Sequence, residues 1–265
     1  AFYLILGMPA TAMGFALCVQ ISALSWILST KYDLKIEEIG IVWASGPLAG
    51  LIMQLLVGLL SDNTWFWGGR RRPFILIGGT IAALMLLCLP NLDNIQKLFG
   101  ADSLVPVALA VAMTLDLAIN LGFNPTRSII TDVTPDGKAR TKGYTYMQTI
   151  SGTMVVLSYF IGAWFNNYTL IYVGVFIVLA FSIIPVFFIE EPKTLQADTT
   201  AAEINDLDVT AHTQKAEINE LIKIYLANAF SWIGVQTMFV FMFAYAVQIL
   251  FHTNDSSTLT DAQND

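Results

Sequence analysis

The sequence carries little charge. Asp, Glu, Lys and Arg make up 12% of its 265 residues, whereas 55% of the residues are hydrophobic. In a soluble domain about a quarter of the residues are charged, so this composition excludes an ordinary soluble domain and indicates an integral membrane protein. The net charge of −7 comes largely from residues 190–220. No basic stripe is present, so we expect the lipid bilayer as a partner and not nucleic acid.

Cysteine, histidine and catalytic motifs are also scarce. Cys18 and Cys88 lie within apolar runs and lack the spacing of a disulfide framework or a metal site. His212 and His252 fall in predicted loops. The sequence contains no zinc-protease motif, no nucleophile elbow and no phosphate-binding loop. We therefore expect neither an enzyme nor a bound metal or organic cofactor.

Long apolar runs make up most of the chain. A helix needs about 20 apolar residues to cross the hydrocarbon core of a bilayer, and seven runs have this length. They cover residues 2–28, 39–61, 74–92, 103–126, 144–165, 169–189 and 223–251. The sequence therefore predicts an all-α membrane protein with a six-helix bundle over 1–189, a polar linker over 190–222, a seventh helix over 223–251 and a polar tail over 252–265.

The loop charges predict the orientation in the membrane. Lys and Arg are enriched in cytoplasmic loops. The loops after helices two, four and six hold Arg70, Arg71, Arg72, Lys138, Arg140, Lys142, Lys193, Lys215 and Lys223, whereas the other loops hold Lys31, Lys35 and Lys97. We therefore expect the N-terminus, the even-numbered loops and residues 190–222 in the cytoplasm, and the tail on the opposite side.

The loop after the second predicted helix contains a cluster of charges. The segment "GLLSDNTWFWGGRRRPFILIGG" includes Asp62, Arg70, Arg71 and Arg72. At the membrane edge, pairs between such charges and Asp132, at the end of the fourth helix, can hold one state of a transporter closed. The alternative interpretation is that the arginines only keep the loop in the cytoplasm.

The fourth predicted helix has a polar stripe. Asp116 lies near mid-membrane, Asn120 and Asn124 follow at one-turn intervals, and Arg127 lies nearer the cytoplasmic end. Eleven residues of helix separate Asp116 from Arg127, which corresponds to about 20° of rotation and about 16 Å of rise. Charges within a membrane are costly and usually functional, so this stripe is predicted to line a cavity. For the asparagines, a structural seam between helices is the alternative.

The charged loop and the fourth helix together resemble the major facilitator superfamily. The form "GGRRRPF" resembles the sucrose-transporter-like branch of its glycoside–pentoside–hexuronide cation symporters, as do "LDLAIN…PTRSIITD" and "FFIEEP". The sequence departs from the pattern at Asn63, where the superfamily usually has Arg or Lys. The resemblance implies twelve helices in two halves, of which this chain would supply the first half and one more helix. The missing C-terminal half would then be a partner, and this chain alone is not expected to transport.

The resemblance also implies an activity, which is proton-coupled symport of a disaccharide of the sucrose or maltose type. Asp116 would carry the proton, because the hydrocarbon environment favours the neutral form of a carboxyl group. Arg127, a planar hydrogen-bond donor, would bind the sugar. Asn120, Asn124 and Gln20 would add groups that bind hydroxyls.

Two alternatives remain open. Within the same superfamily, the chain could belong to a cation-coupled antiporter or exporter of another small molecule. A receptor or sensor with seven helices is the alternative from a different class. A retinal protein is disfavoured, because its Schiff base needs a lysine within the last helix and residues 224–251 contain none.

Overall fold

The computed structural model describes residues 2–192, 218–246 and 249, and these residues are helical apart from short connections. The predicted all-α class is confirmed. A 3-10 turn, Leu89–Asn91, joins the fourth and fifth α-helices. The α-helices are α1 Phe2–Thr30, α2 Ile36–Trp43, α3 Ser45–Asn63, α4 Arg72–Cys88, α5 Leu92–Phe99, α6 Leu104–Val133, α7 Lys138–Trp164, α8 Asn167–Phe188 and α9 Ile218–Tyr245. Most of the predicted linker and the whole predicted tail lie outside the described residues.

Five stretches in the described chain are long and apolar enough to cross a membrane. They are Phe2–Thr30, Ile36–Met53, Arg72–Phe99, Leu104–Val133 and Asn167–Phe188. They correspond to predicted helices one, two, three, four and six. The predicted fifth and seventh spans form α7 and α9, which also have the length of a span, and α7 has the more polar sequence.

The second and third predicted spans differ from single continuous helices. The predicted span 39–61 is divided at Ala44 into α2 and α3. Pro47 follows closely, and its missing amide hydrogen leaves the Trp43 carbonyl without its usual helical partner. The predicted end of helix three at residue 92 is wrong, because the chain continues through the turn at Pro90 into α5. The polar side chains of amphipathic α5 lower its hydropathy, which concealed this extension.

Helix α1 lies at the centre of the bundle and packs against α6, α7 and α8. Helix α4 packs against α6 and α8, while α3 packs against α6. The core between these helices contains the fully buried side chains of Phe15, Leu24, Leu86, Leu115 and Ile119. Helix α9 lies against α1 and α2. This arrangement places α6 between the centre of the bundle and α3.

The contact between α4 and α6 depends on a glycine. A Cβ atom added to Gly78 of α4 would lie 2.8 Å from the backbone oxygen of Ala118 and 3.1 Å from the backbone nitrogen of Gly122, both in α6. Backbone atoms within a packed helix cannot move aside as a side-chain end can. The close approach of Gly78 therefore sets the position of the middle of α6.

The end of α1 is joined to the turn between α4 and α5. The Tyr32 hydroxyl donates a hydrogen bond to the Leu89 carbonyl at 3.1 Å and accepts one from the Leu92 backbone N–H at 2.9 Å. Burial raises the pKa of Tyr32 to about 12, so the phenol stays protonated and remains a donor. Lys31 lies 3.7 Å from Asp93 beside it. These contacts connect α1 to α4 and α5 at the end of the bundle opposite the arginine loop, which comprises residues 64–71.

We predict that Gly78→Ala destabilises the protein by about 1–3 kcal/mol, the usual cost of overpacking a core. Gly14→Ala in α1 is the matched control, because no atom lies within 4 Å of its added Cβ. Thermal unfolding of the purified variants in one detergent measures both effects. Equal melting temperatures for the two variants would contradict the assigned close contact.

Candidate functional site

Three elements meet at the side chain of Asp116. This residue of α6 is 7% exposed. Its Oδ1 accepts a hydrogen bond from Nε2 of Gln20 in α1 at 3.0 Å. Its Oδ2 accepts a hydrogen bond from the Ser45 hydroxyl, at the start of α3, at 3.2 Å. Both oxygens of the buried carboxylate therefore have a neutral donor.

The break between α2 and α3 creates one of these contacts. It places Ser45 opposite Asp116 at the first position of α3, and Gly46 next to it allows the close approach. A Cβ atom added to Gly46 would lie 3.4 Å from Asp116 Oδ2. Our sequence reasoning missed Ser45. The Ser-Gly-Pro sequence at residues 45–47 was the available signal, since Gly and Pro together favour a helix interruption.

A cavity of about 710 Å³ opens beside Asp116. Small-molecule sites in proteins have volumes of about 300–1,000 Å³, so the space suits a ligand of that size. Its walls come from α1, α2, α3, α6 and α9. The residues that line it are Leu17, Ile21, Trp43, Gly46, Pro47, Gly50, Leu51, Asp116, Ile119, Asn120, Phe123, Asn228, Ala229, Trp232, Gln236 and Phe239.

The cavity walls combine amide and aromatic side chains. Helix α9 contributes Asn228, Trp232 and Gln236, spaced one turn apart. Opposite them, Nδ2 of Asn120 donates to the backbone oxygen of Asp116 at 2.8 Å. The indole of Trp43 donates to the Ser25 hydroxyl at 2.8 Å, which fixes the ring orientation. A ligand in this space would meet hydrogen-bonding groups and flat apolar faces together.

The other predicted site residues lie at different distances from this cavity. Gln20 is 1% exposed and contacts Asp116. Asn124 is half-buried and does not line the cavity. Arg127 is exposed, and its guanidinium group lies 5.5 Å from the ring centre of Phe123, which does line the cavity. The structure thus brings Gln20, Asp116 and Asn120 together, and places Arg127 one aromatic ring away.

A second cluster lies where the arginine loop meets the end of α6. The Nε atom of Arg71 is 3.1 Å from Oδ2 of Asp132, and the two side chains are 10% and 8% exposed. This is a pairing of the kind that the sequence predicted for Asp132. The Arg72 side chain donates to the Gly68 carbonyl at 3.3 Å. The side chain of Asp62, the remaining acidic residue of the predicted gate, lies outside the described residues.

Glu191, just after α8, binds the start of α4. Its carboxylate accepts backbone hydrogen bonds from Arg70 at 2.7 Å, Arg71 at 2.9 Å and Arg72 at 2.7 Å. The first N–H groups of a helix lack internal partners and carry partial positive charge, so a carboxylate is well placed there. Our sequence reasoning did not select Glu191 as a site residue, although its "FFIEEP" segment was a recognisable motif.

These two contacts connect three helices. Glu191 holds the end of α8 against the start of α4, and Arg71 holds the same start of α4 against the end of α6. We call Arg71, Asp132 and Glu191 the loop cluster. Within the described part of the chain, no group of His, Cys, Asp and Glu side chains could hold a metal ion.

Comparisons with known proteins identify the family. Residues 4–260 match the model of the Major Facilitator Superfamily. Sucrose transport protein SUC4 of Arabidopsis thaliana is 31% identical, over 56% of this chain and 32% of that protein. Sucrose transport protein SUT2 of Oryza sativa subsp. indica is 27% identical, over 80% of this chain and 50% of that protein. The general alpha-glucoside permease of Schizosaccharomyces pombe is 34% identical, over 37% of this chain and 19% of that protein.

The chain spans half or less of the length of these relatives. No solved structure matches it. The family match nevertheless covers nearly the whole chain and agrees with the long apolar helices, the arginine loop and the charged fourth span. The chain is therefore a multi-pass integral membrane protein that belongs to the Major Facilitator Superfamily, a superfamily of transporters and not of enzymes.

Proposed function

We propose that this chain is the first half, the linker and the seventh helix of a proton-coupled disaccharide symporter that works by alternating access. The observation that carries the proposal is the buried carboxylate of Asp116, held by neutral donors at the wall of a 710 Å³ cavity. The relatives are named as sucrose transport proteins and an alpha-glucoside permease, and these names support a sugar as the substrate.

The surroundings of Asp116 favour a proton as the coupling ion. Among the described residues, no cation forms an ion pair with its carboxylate. A fixed cation would stabilise the ionised form permanently, whereas Gln20 and Ser45 are neutral. A proton that enters through the cavity can therefore neutralise Asp116 without first breaking an ion pair. The protein would then change between its outward-facing and inward-facing states with a neutral Asp116.

The cavity walls favour a sugar. Sugar rings have hydroxyl groups on their edges and apolar C–H groups on their faces. The amides of Asn120, Asn228 and Gln236 suit the hydroxyls, while Trp43 and Trp232 offer flat surfaces for the ring faces. Arg127 and Asn124, nearer the arginine loop, remain predicted sugar contacts, as does Gln20 if it turns from Asp116.

We propose that the loop cluster is part of the cytoplasmic gate, together with Arg70, Arg72 and Asp62. The Lys and Arg distribution supports a cytoplasmic location for this end. The buried Arg71–Asp132 pair and the Glu191 cap hold α4, α6 and α8 together. The three helix ends would move as one body when the gate opens, since separating a buried ion pair costs several kcal/mol.

We predict that Asp116→Asn in the intact transporter abolishes proton-driven accumulation of sugar, because an amide at this position cannot take up and release a proton. Exchange of sugar without a pH gradient should persist. Proteoliposomes with an imposed pH gradient, tested with sucrose, maltose and glucose, measure both activities. Asp102→Asn is the control, because Asp102 is an exposed residue outside the site.

Full accumulation by the Asp116→Asn variant would contradict the coupling role. If the wild-type protein expels another small molecule against an inward proton gradient and moves no sugar, the antiporter alternative replaces the symporter. The 265-residue chain alone should show no uptake.

For the gate, Arg71→Gln should slow uptake by about tenfold or more, since it leaves Asp132 buried without its cation. Lys138→Gln is the matched control, because it removes a positive charge from another predicted cytoplasmic loop at an exposed position outside the proposed gate. Surface labelling verifies that both variants insert in the same orientation. Equal uptake rates in two correctly inserted variants would favour the simple topological role of the arginines.

We also predict that Glu191→Ala lowers the free energy of unfolding by about 0.5–2 kcal/mol, the usual loss when a helix cap is removed. Glu190→Ala, at the neighbouring exposed carboxylate, should have little effect. Thermal unfolding of the purified variants provides the comparison. A larger loss of stability for Glu190→Ala would contradict the assignment of the cap to Glu191.

A further inference from the structure

Gln20 has an unusual position for an amide side chain. It is 1% exposed, and its Nε2 atom donates to Asp116. Its Oε1 atom is buried and accepts no hydrogen bond from the residues that the structure describes. A buried polar atom without a partner costs free energy, and an apolar side chain of similar size would avoid that cost. The unpaired oxygen therefore suggests a second state in which Oε1 accepts a hydrogen bond.

We propose that Gln20 is a two-state positioning residue for the proton on Asp116. In the ionised state, Nε2 donates to the carboxylate, as the structure shows. In the protonated state, the amide turns over and Oε1 accepts the hydrogen bond of the new O–H group. This inference rests on the proposed proton-coupled transport and assigns a role to a residue that does not line the cavity in this structure.

The chemistry of the two groups allows such a change. A carboxylate only accepts hydrogen bonds, whereas a carboxylic acid also donates one. A primary amide has a donor and an acceptor on the same carbon, and rotation about its last side-chain torsion exchanges them. When a proton arrives from cavity water and binds Oδ1 of Asp116, the hydrogen bond from Nε2 breaks and the one from Ser45 to Oδ2 can stay.

Ser45 can remain in place during this change. Its hydroxyl donates to Oδ2 at 3.2 Å, and a hydroxyl can donate to either form of the acid. Once Asp116 is protonated, the Oε1 atom that now lacks a partner would accept the hydrogen bond of the acid O–H group, and Nε2 would take the place that Oε1 occupies now. The amide would lower the cost of holding a neutral acid at this position.

The charged groups of the surrounding helices do not replace Gln20 in this role. Helix α1 has no Asp, Glu, Lys, Arg or His over residues 2–30, and α8 has none over 167–188. Within the described residues, no salt bridge reaches Asp116. The charges of the other packed helices lie toward their ends or on separate turns: Glu37 and Glu38 in α2, Asp62 in α3, Arg72 in α4, Asp93 and Lys97 in α5, Arg127 and Asp132 in α6, Lys138, Arg140 and Lys142 in α7, and Glu220 and Lys223 in α9.

The alternative is that Gln20 only packs between α1 and α6 and does not act on the proton of Asp116, and the pH dependence of transport separates the two. Gln20→Met keeps the approximate volume but removes both amide functions. The ionised acid loses a charge-assisted hydrogen bond, whereas the neutral acid loses a weaker one. We therefore expect the pH of half-maximal accumulation to move upward by about one unit, and measurable sugar exchange without a gradient shows that the variant is folded. Gln148→Met, at an exposed amide in α7, should leave both unchanged.

The exchange of the two side chains provides an independent test. Asp116→Asn alone should show no proton-driven accumulation. The double variant Gln20→Glu with Asp116→Asn restores one acid facing one amide. We expect it to recover at least about a third of the wild-type accumulation, with a shifted pH profile. All variants are measured in the intact transporter in proteoliposomes, with sugar exchange as the control for folding.

Each outcome supports or overturns the inference. A wild-type pH profile in an actively exchanging Gln20→Met variant would overturn it. If that variant fails to exchange sugar, the double variant decides, and exchange without pH-dependent accumulation there would overturn the inference. A wild-type protein that accumulates no sugar under a pH gradient would instead refute the proposed function. The two failures are therefore distinguishable.

Discussion

The buried carboxylate of Asp116 is the constraint on which the rest of this structure depends. Hydrocarbon offers no hydrogen bonds, so a carboxylate within a span must obtain its donors from neighbouring helices. Here the donors come from Gln20 in α1 and Ser45 in α3. Both helices must therefore lie against the same turn of α6. Three features make that geometry possible. They are the helix break at Ala44, the absence of a side chain at Gly46 of α3, and the close contact between α4 and α6 at Gly78.

The charged groups are separated into two clusters with different chemistry. Near the cavity, the donors to Asp116 among the described residues are neutral, which leaves its charge free to change. In the loop cluster, Arg71 and Asp132 form a direct ion pair, and Glu191 accepts three consecutive backbone N–H groups. Pairing of opposite charges stabilises a fixed arrangement, whereas a carboxylate without a cation can exchange a proton. The same helix, α6, carries both kinds of group and so connects the proposed coupling site to the proposed gate.

The sequence predicted the helices and several site residues, but it did not predict which residues contact each other. The seven apolar runs predicted the helices, because the length of a membrane span is set by bilayer thickness. The polar stripe led to Asp116 and Asn120 because charges are rare within spans. Ser45 and Glu191 were missed, since a serine in an apolar run and a glutamate after a helix are common. Their roles arise from neighbours that are 71 and about 120 residues away along the chain. The break in helix two was missed because Pro47 lies inside an apolar run. The extension of helix three was missed because the polar side chains of α5 lower its hydropathy.

The sequence by itself determined that this protein is a helical membrane protein, which helices carry charge, and that the arginine loop and the fourth span resemble a transporter family. Those properties follow from composition, helix periodicity and spacing along one chain. Only the tertiary structure decided that Gln20 and Ser45 hold Asp116, that Arg71 pairs with Asp132, and that Asn228, Trp232 and Gln236 of α9 line the same cavity as Asn120. Such contacts depend on which helices pack together and at what rotation. A single sequence does not contain that information in its local pattern, because each helix shows only which of its faces is polar.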